Sequence, residues 1–545
     1  MRIILLIILM TLCMHTARTL HAQPLRMHRT HYEFRFDDFG GGQWWWSKAR
    51  NISDSSALVR RDGFLVSAVS GPPGGWDSLH LIGDWPGAQL CVNGRIRSNR
   101  PVGPVPPRHV ARFTEDEWQA LGEDLRTEIF NGTEHWPTEY GAPFIDFDAD
   151  GRYTPQPGLL PLFPGDVPLV VGDEAMWTLT GDGETPDRRR MILFTTGIRL
   201  QHMAWTHAGE GCPERVIFQR LRIVNTTLRQ FREVFVAMHA DVALGDPSDD
   251  LVGIDTALGL AYFYNGADTD AYMQDPPAAG YLLLQGPAVE DASSTGLFNL
   301  SLREGIRNLP YHAFTYFSDA GAYQSLPDTT DSAFPYALRN AMLGLQPDGR
   351  SQEDPTTASA TRFAAAGNPL LNLGWIDGEH AAAGHRTLLV SMGPFDLAPG
   401  DTQEVIIARI GAQGGPTVQE DLIALFDYAQ CVVAHYMSQF VTSADGPQSL
   451  RPQPRDIALG APWPQPYTAS SASVLRVPVT LNAPRSVTLR VVDLLGRTRI
   501  VHEYGMMPGG TTRIAVRIPV SLGAGVYQLV VDAGSERSAR PFVVE

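Results

Sequence analysis

Lysine is almost missing from this chain. Lys48 stands alone among 43 basic residues, the rest being arginine, against 59 Asp and Glu, for a formal net charge of -16. A nucleic-acid binder needs a basic face, so that class is excluded. Long apolar runs are also missing. No segment reaches the roughly 18–20 apolar residues that span a bilayer, so the mature chain has no transmembrane segment. The motifs that announce common chemistry are absent too: no G-x-S-x-G elbow, no H-E-x-x-H and no glycine-rich phosphate loop. Cysteine is scarce at four, and no Cys or His spacing matches a zinc site.

What is present is a large apolar fraction, 43%, together with 52 Gly and 41 Pro in 545 residues. That is ample for packed cores and favours turn-rich β structure over helical bundles. The length allows two to four domains. Arg2, the apolar run Ile3 to Met14 and the small Ala22 read as a signal peptide over 1–22, which predicts an exported, soluble chain. Beyond Cys13, that leaves Cys91, Cys212 and Cys431 in an oxidising compartment. One disulfide with a free thiol is open, and so are three buried thiols. The size of the core favours the thiols, since it needs no staple.

A proline-rich stretch over 441–470 reads as a linker between a body, 23–440, and a tail, 471–545. In the tail, Val487, Leu489 and Val491, then Ile514, Val516 and Ile518, then Tyr527, Leu529 and Val531 alternate with other residues between glycine-rich turns. Six or seven such strands predict a small immunoglobulin-like β-sandwich. Asp493-Leu494-Leu495-Gly496-Arg497, Leu522-Gly523-Ala524-Gly525-Val526-Tyr527 and the terminal Pro541-Phe542-Val543-Val544 resemble the C-terminal sorting domain of the type IX (Por) secretion system of Bacteroidetes-like bacteria. The resemblance implies engagement of the outer-membrane secretion machinery, with release or anchoring at the cell surface. The tail carries nine Arg against five Asp or Glu, so the acidity of the chain belongs to its body.

The body reads as mainly β, a large sandwich-like fold with a few helices. Val216 to Val224 and Val234 to Met238, with Asn225-Thr226-Thr227 between, read as a long hairpin. Leu388 to Val390 and Val405 to Ala408 read as another. Thr417 and Glu420 form a capping box, and Leu422, Leu425, Phe426, Ala429, Val432, Val433, Tyr436 and Phe440 continue at helical spacing. A further helix is expected from about Thr114 to Ile129.

Two acidic loops are the candidate sites. Asp146, Asp148 and Asp150 alternate before Gly151, so one tight turn can aim three carboxylates at a hard cation, with the carbonyl of Arg152 next. Pro157 stands where a complete calcium loop carries glutamate, so Asp166, Asp173 or Glu174 would have to complete the shell. The second cluster is Asp246, Asp249, Asp250 and Asp255, after Asp241, in a loop broken by glycine and proline. It offers a second Ca²⁺ site, a catalytic carboxylate pair, or a solvated surface. His380 and His385 are five apart, and His202, His207 and Cys212 are as loosely spaced, which reads as satisfied or surface histidines. Trp44-Trp45-Trp46 reads as strand and core in preference to a sugar platform.

The succession YGAPFIDFDADGRYTP, GDVPLVVGDEAMW, VIFQRLRIVNTT, ALGDPSDDLVGIDTALGLAYFYNGAD, PPAAGYLLLQGP and GPFDLAPGDTQEVIIARIGAQG, within residues 140–436, resembles a class of large secreted bacterial proteins that end in this same sorting domain. That class brings no activity with it. The expectation is therefore an exported extracellular or cell-surface β protein, non-catalytic, with Ca²⁺ in its acidic loops. The alternatives are a secreted polysaccharide-acting hydrolase using a carboxylate pair and a surface adhesin. A surface polysaccharide is a further possible partner.

Overall fold

The strand Ile217–Asn225 and the strand Phe231–Val242 follow one another closely in the chain, yet they belong to different sheets. The computed structural model describes residues 25–27, 32–36, 42–46, 57–71, 78–83, 91–92, 95–96, 108–111, 120–146, 151–155, 166–181, 196–207, 212–269, 276–318, 324–327 and 331–441, then 457–459, 467, 474–481, 483–492, 498–519, 522, 525–533 and 536–544. They fall into two compact units: Met1–Phe144 with Val167–Ala444, and Ile145–Asp166 with Asp445–Glu545.

The larger unit is an antiparallel β-sandwich. Its first sheet runs in the order Leu25–Met27, Tyr32–Phe36, Gly42–Trp46, Ala57–Ser70, Phe231–Val242, Thr387–Leu397 and Tyr311–Phe317, and Ser78–Gly83 also pairs with Ala57–Ser70. Its second runs Asp250–Asp255, Leu260–Asn265, Ala278–Gln285, Thr402–Ala412, Ile217–Asn225, Ile198–Thr206, Glu174–Gly181 and Arg108–Ala111. Side chains alternate between the faces of a strand. One face of each sheet meets the other in a shared core, including Phe64, Val66, Val236, Met238 and Val390 from the first and Leu221, Ile223, Phe263 and Ile407 from the second.

The outer faces are covered as well. Phe334–Met342, a helix with proline in its first turn, lays Phe334, Leu338, Ala341 and Met342 on Leu65, Phe235 and Leu389. Arg339 of this helix donates to Ser67 Oγ at 3.1 Å and to the Glu233 carbonyl at 2.8 Å, with its guanidinium over the Phe235 ring. Val418–Val441 lies against the second sheet, with Phe426 edge-on to Tyr262. The capping box forms as expected: Glu420 accepts from the Thr417 hydroxyl at 2.8 Å and its own N–H donates to Thr417 Oγ1. A helix spans Glu123–Glu134 and overlaps the other expected helix over 123–129; residues 112–119 lie outside the described residues.

Both expected hairpins are arches between the two sheets. Ile217–Asn225 pairs with Ile198–Thr206 and Thr402–Ala412, whereas Phe231–Val242 pairs with Ala57–Ser70 and Thr387–Leu397. Thr387–Leu397 and Thr402–Ala412 likewise separate into the two sheets. Asn225 binds the two arches together, its Nδ2 donating to the carbonyls of Arg229 at 2.7 Å and Ala398 at 2.9 Å.

Inside the sandwich sits one ion pair that crosses it. Arg409 on the second sheet donates from Nε and Nη2 to the two oxygens of Asp62 on the first, at 2.7 and 2.8 Å. Tyr281 adds its hydroxyl at 2.9 Å, and the Phe34 ring lies 4.8 Å from the guanidinium carbon. Trp44 packs edge-on to Phe263 and Tyr281, as core and not as a sugar platform. The side chains of Trp45 and Trp46 lie outside the described residues. Removing one partner of a buried pair leaves an uncompensated charge. Asp62→Ala is therefore expected to cost about 3–5 kcal/mol in urea unfolding, and the double change Asp62→Leu with Arg409→Met far less. Equal losses in the two variants would contradict this account.

The smaller unit holds a seven-stranded arrangement: Ile457–Leu459, Leu475–Leu481 and Gly510–Val516 in one sheet, and Thr498–Met507, Arg485–Val492, Gly525–Ala533 and Glu536–Val544 in the other. Val487, Leu489, Val491, Ile514, Val516, Leu529 and Val531 fill its core, in the alternation the sequence displays. The strand Ile457–Leu459 and the bridge from Tyr467 to Val544 draw part of the proline-rich stretch into this sandwich. The sandwich thus begins before residue 471.

Candidate functional site

The first acidic loop lies in the smaller unit. Asp146 turns its Oδ2 back to accept from the Gly151 N–H at 2.8 Å, and Gly151 sits at φ 76°, a conformation that suits glycine. Arg152 is exposed, and Asp148 and Asp150 lie outside the described residues. Of the carboxylates expected to complete a shell, Asp166 accepts from the Thr154 N–H and hydroxyl at 2.9 and 3.3 Å. Glu174 is engaged elsewhere. It binds His109 Nε2 at 2.7 Å, while Glu128 of the Glu123–Glu134 helix binds Nδ1 at 2.6 Å. Burial alone would lower this imidazole's pKa, but the two carboxylates raise it to about 9.

The second acidic cluster separates along one strand. Asp255 accepts from the N–H groups of Ala257 and Leu258, both at 2.9 Å, capping a turn at one end of Asp250–Asp255. Asp250 is buried at the other end, about 16 Å away along an extended backbone. The four residues therefore do not converge on a single ion, because five strand steps lie between the last two. Asp246 accepts from the Ser248 N–H at 3.0 Å. Among the described residues, no three His, Cys, Asp or Glu side chains form a group that could hold a metal ion.

What the structure does build here is a junction of two loops at the end of the larger sandwich. The loop that follows Phe231–Val242 meets residues 376–386. The Asp250 carbonyl accepts from the Gly384 N–H at 3.1 Å, and the Asp249 carbonyl from Gly266 at 2.8 Å. A Cβ on Gly266 would stand 2.5 Å from that Asp249 oxygen, so glycine permits the close approach. Arg386, fully buried, anchors the junction. Its Nε and Nη2 donate to Asp377 at 2.9 and 3.1 Å, and its Nη1 donates to Ser318 Oγ at 3.2 Å. Asp377 in turn accepts from the Val252 N–H.

On this anchored loop, His385 Nε2 lies 2.6 Å from Asp241 Oδ1, with the two side chains 24% and 19% exposed. A carboxylate-oriented, partly accessible imidazole is an arrangement that can take or give a proton. The sequence offered His385 and Asp241 separately, 144 positions apart, with no local signal that they meet. His202 is instead fully buried against Thr180 Oγ1, and Cys212 is disulfide-bonded to Cys431 with Cα atoms 6.0 Å apart. That pairing corrects the expectation of three thiols.

Neither a protein-family model nor a curated protein matches the chain. Among solved structures, a polysaccharide lyase is 9% identical with a TM-score of 0.19, covering 64% of this chain and 34% of its own. An EFF-1 fusogen on extracellular vesicles is 8% identical with a TM-score of 0.13, covering 64% of this chain and 67% of its own. A Salmonella alpha-2-macroglobulin mutant is 12% identical with a TM-score of 0.13, covering 96% of this chain and 31% of its own. This chain thus spans about a third of the lyase, and likenesses this slight carry no argument about fold or activity. No helix among the described residues is long and apolar enough to cross a membrane.

Proposed function

We propose that this chain is an exported extracellular or cell-surface β protein of the type IX secretion pathway, non-catalytic, with Ca²⁺ held by its Asp146 to Arg152 loop. The C-terminal sandwich serves as the export address in this reading. The observation that carries it is the separate core of that sandwich, which lets a large folded body be attached to an independent signal. A disulfide across the body, at home in an oxidising compartment, supports the same reading. The Asp146 carboxylate folded back onto Gly151 supports the calcium loop.

The test is truncation after Ala444 in a type IX-competent host. The shortened protein is expected to accumulate in the periplasm while the full chain reaches the surface or medium. Normal arrival of the truncated chain would remove the sorting role. In the purified full chain, chelation is expected to lower the unfolding temperature, and Asp148→Ala with Asp150→Ala to abolish that difference.

A second reading, a secreted hydrolase, has one observation in its favour: the Asp241–His385 pair at the loop junction. It requires turnover of some polysaccharide, peptide or ester that disappears in His385→Gln. A panel without turnover leaves the non-catalytic reading standing.

A further inference from the structure

Three buried arginines of the larger sandwich are held by oxygen. Arg386 and Arg409 each grip a carboxylate with two nitrogens, and Arg339 donates to Ser67 and Glu233. Arg220 is buried as deeply, at 5% exposure, and is held differently. Its one hydrogen bond among the described residues runs from Nη2 to the sulfur of Met203, at 3.9 Å. Arg222 follows two positions on, about 7 Å along the strand and on the same face. It is partly exposed, donates from Nη1 to Gln201 Oε1 at 3.4 Å, and carries a buried Nε with no hydrogen-bond partner among the described residues. This face is turned from the shared core, which takes Leu221 and Ile223, toward the side covered by the Val418–Val441 helix. One carboxylate, Glu404, stands directly across from Arg222 on the next strand. It is turned to other donors. Its Oε1 accepts from Gln285 Nε2 at 2.8 Å and from the Asn299 N–H at the tip of the hairpin over 288–308, and its Oε2 is buried without a partner.

We propose that Arg220 and Arg222 form a binding site for a carboxylate ligand on the outer face of the second sheet, with Arg222 at its mouth. A buried guanidinium stays charged and calls for an oxygen partner, and its forked donors match the two oxygens of a carboxylate. Charge decides between anions. Two guanidiniums face one carboxylate, which leaves a single positive charge over. A monoanion neutralises that charge, whereas a dianion such as sulfate overshoots it in a site that water reaches poorly. The helix adds no further charge. Burial raises the pKa of Tyr436, so its hydroxyl stays protonated, 3.5 Å from Gln285 Oε1. Burial lowers the Arg220 pKa, with Glu404 opposing the fall and Arg222 adding to it, so a second anion beside the pair relieves both desolvation and mutual repulsion. The Asn299 contact keeps Glu404 engaged with the hairpin tip, and among the described residues neither arginine donates to it.

The experiment follows the unfolding temperature of the full chain in a chloride buffer at pH 7.5, titrated with sodium acetate, sodium glucuronate or sodium sulfate at matched ionic strength. Both carboxylates are expected to give a saturable rise, and sulfate a much smaller one. A larger rise with glucuronate assigns the ligand to the sugar acids, and equal rises assign it to small carboxylates at large. Arg222→Gln is expected to weaken the half-saturation point roughly tenfold or more, the worth of one charge-assisted hydrogen bond. Arg220→Met is expected to abolish the rise and, because it removes a charge without an oxygen partner, to unfold no earlier than the parent in chloride alone. If Arg220→Met fails to fold, Arg222→Gln at the partly exposed position decides the matter. Arg350→Gln, an exposed arginine elsewhere, should titrate like the parent. The proposal is overturned by a parent that shows no saturable rise, by an equal rise with sulfate, or by an undiminished response in Arg222→Gln.

Discussion

Acidification from pH 7 to pH 4 should cost the larger sandwich on the order of 6 kcal/mol through two histidines. His80 is enclosed against Phe231 and hydrogen-bonded to Ser70 Oγ at 2.7 Å. Burial, reinforced by Arg229, lowers its pKa to about 4. His202 lies in the core, where burial and then the nearby Arg409 lower its pKa to about 3. Both rings are neutral in the fold, while the unfolded chain takes up protons near 6.5. Their contribution is therefore complete above pH 6.5 and is lost as pH falls through 4 and 3, at about 1.4 kcal/mol per unit per ring. His109 has the opposite sign. Raised to about 9, it contributes fully below 6.5 and loses about 3 kcal/mol as pH climbs to 9. Urea midpoints plotted against pH should peak near 6.5. His202→Asn should flatten the acid limb alone and His109→Gln the alkaline limb alone. A profile flat between pH 4 and 9 would contradict these assignments.

Loss of the disulfide should be the other large effect. Cys212 and Cys431 are 219 positions apart, and cross-linking a loop of that length restricts the unfolded chain by about 5 kcal/mol in the chain-entropy account. Cys212→Ala with Cys431→Ala is expected to lower stability by about that amount without altering which strands pair. A change below about 1 kcal/mol would mean that the unfolded chain is already constrained near this contact.

The elements legible in the sequence were those whose signal is local. The Val418–Val441 helix announced itself through Thr417 and Glu420, three residues apart, and the tail strands through alternation within seven or eight residues. The arches look like hairpins in the sequence because both sheets are covered on both faces. Val234, Phe235, Val236 and Ala237 are all buried, so apolar pattern does not say which sheet a strand enters. The acidic loops were visible as composition, but Asp255 serves a turn and Glu174 serves His109, choices set by residues far along the chain. Asp62 and Arg409 are 347 positions apart, and no spacing rule reaches that far.

That last separation bears on when the larger sandwich can exist at all. Thr402–Ala412 lies mid-sheet, between Ala278–Gln285 and Ile217–Asn225, so the second sheet stays in two pieces until more than 400 residues have emerged. Asp62 waits as long for its counter-ion. Folds dominated by such distant pairings form slowly, because chain closure comes before any contact that rewards it. A chain that cannot close early keeps its apolar strands uncovered for longer after synthesis, within reach of chaperones and proteases.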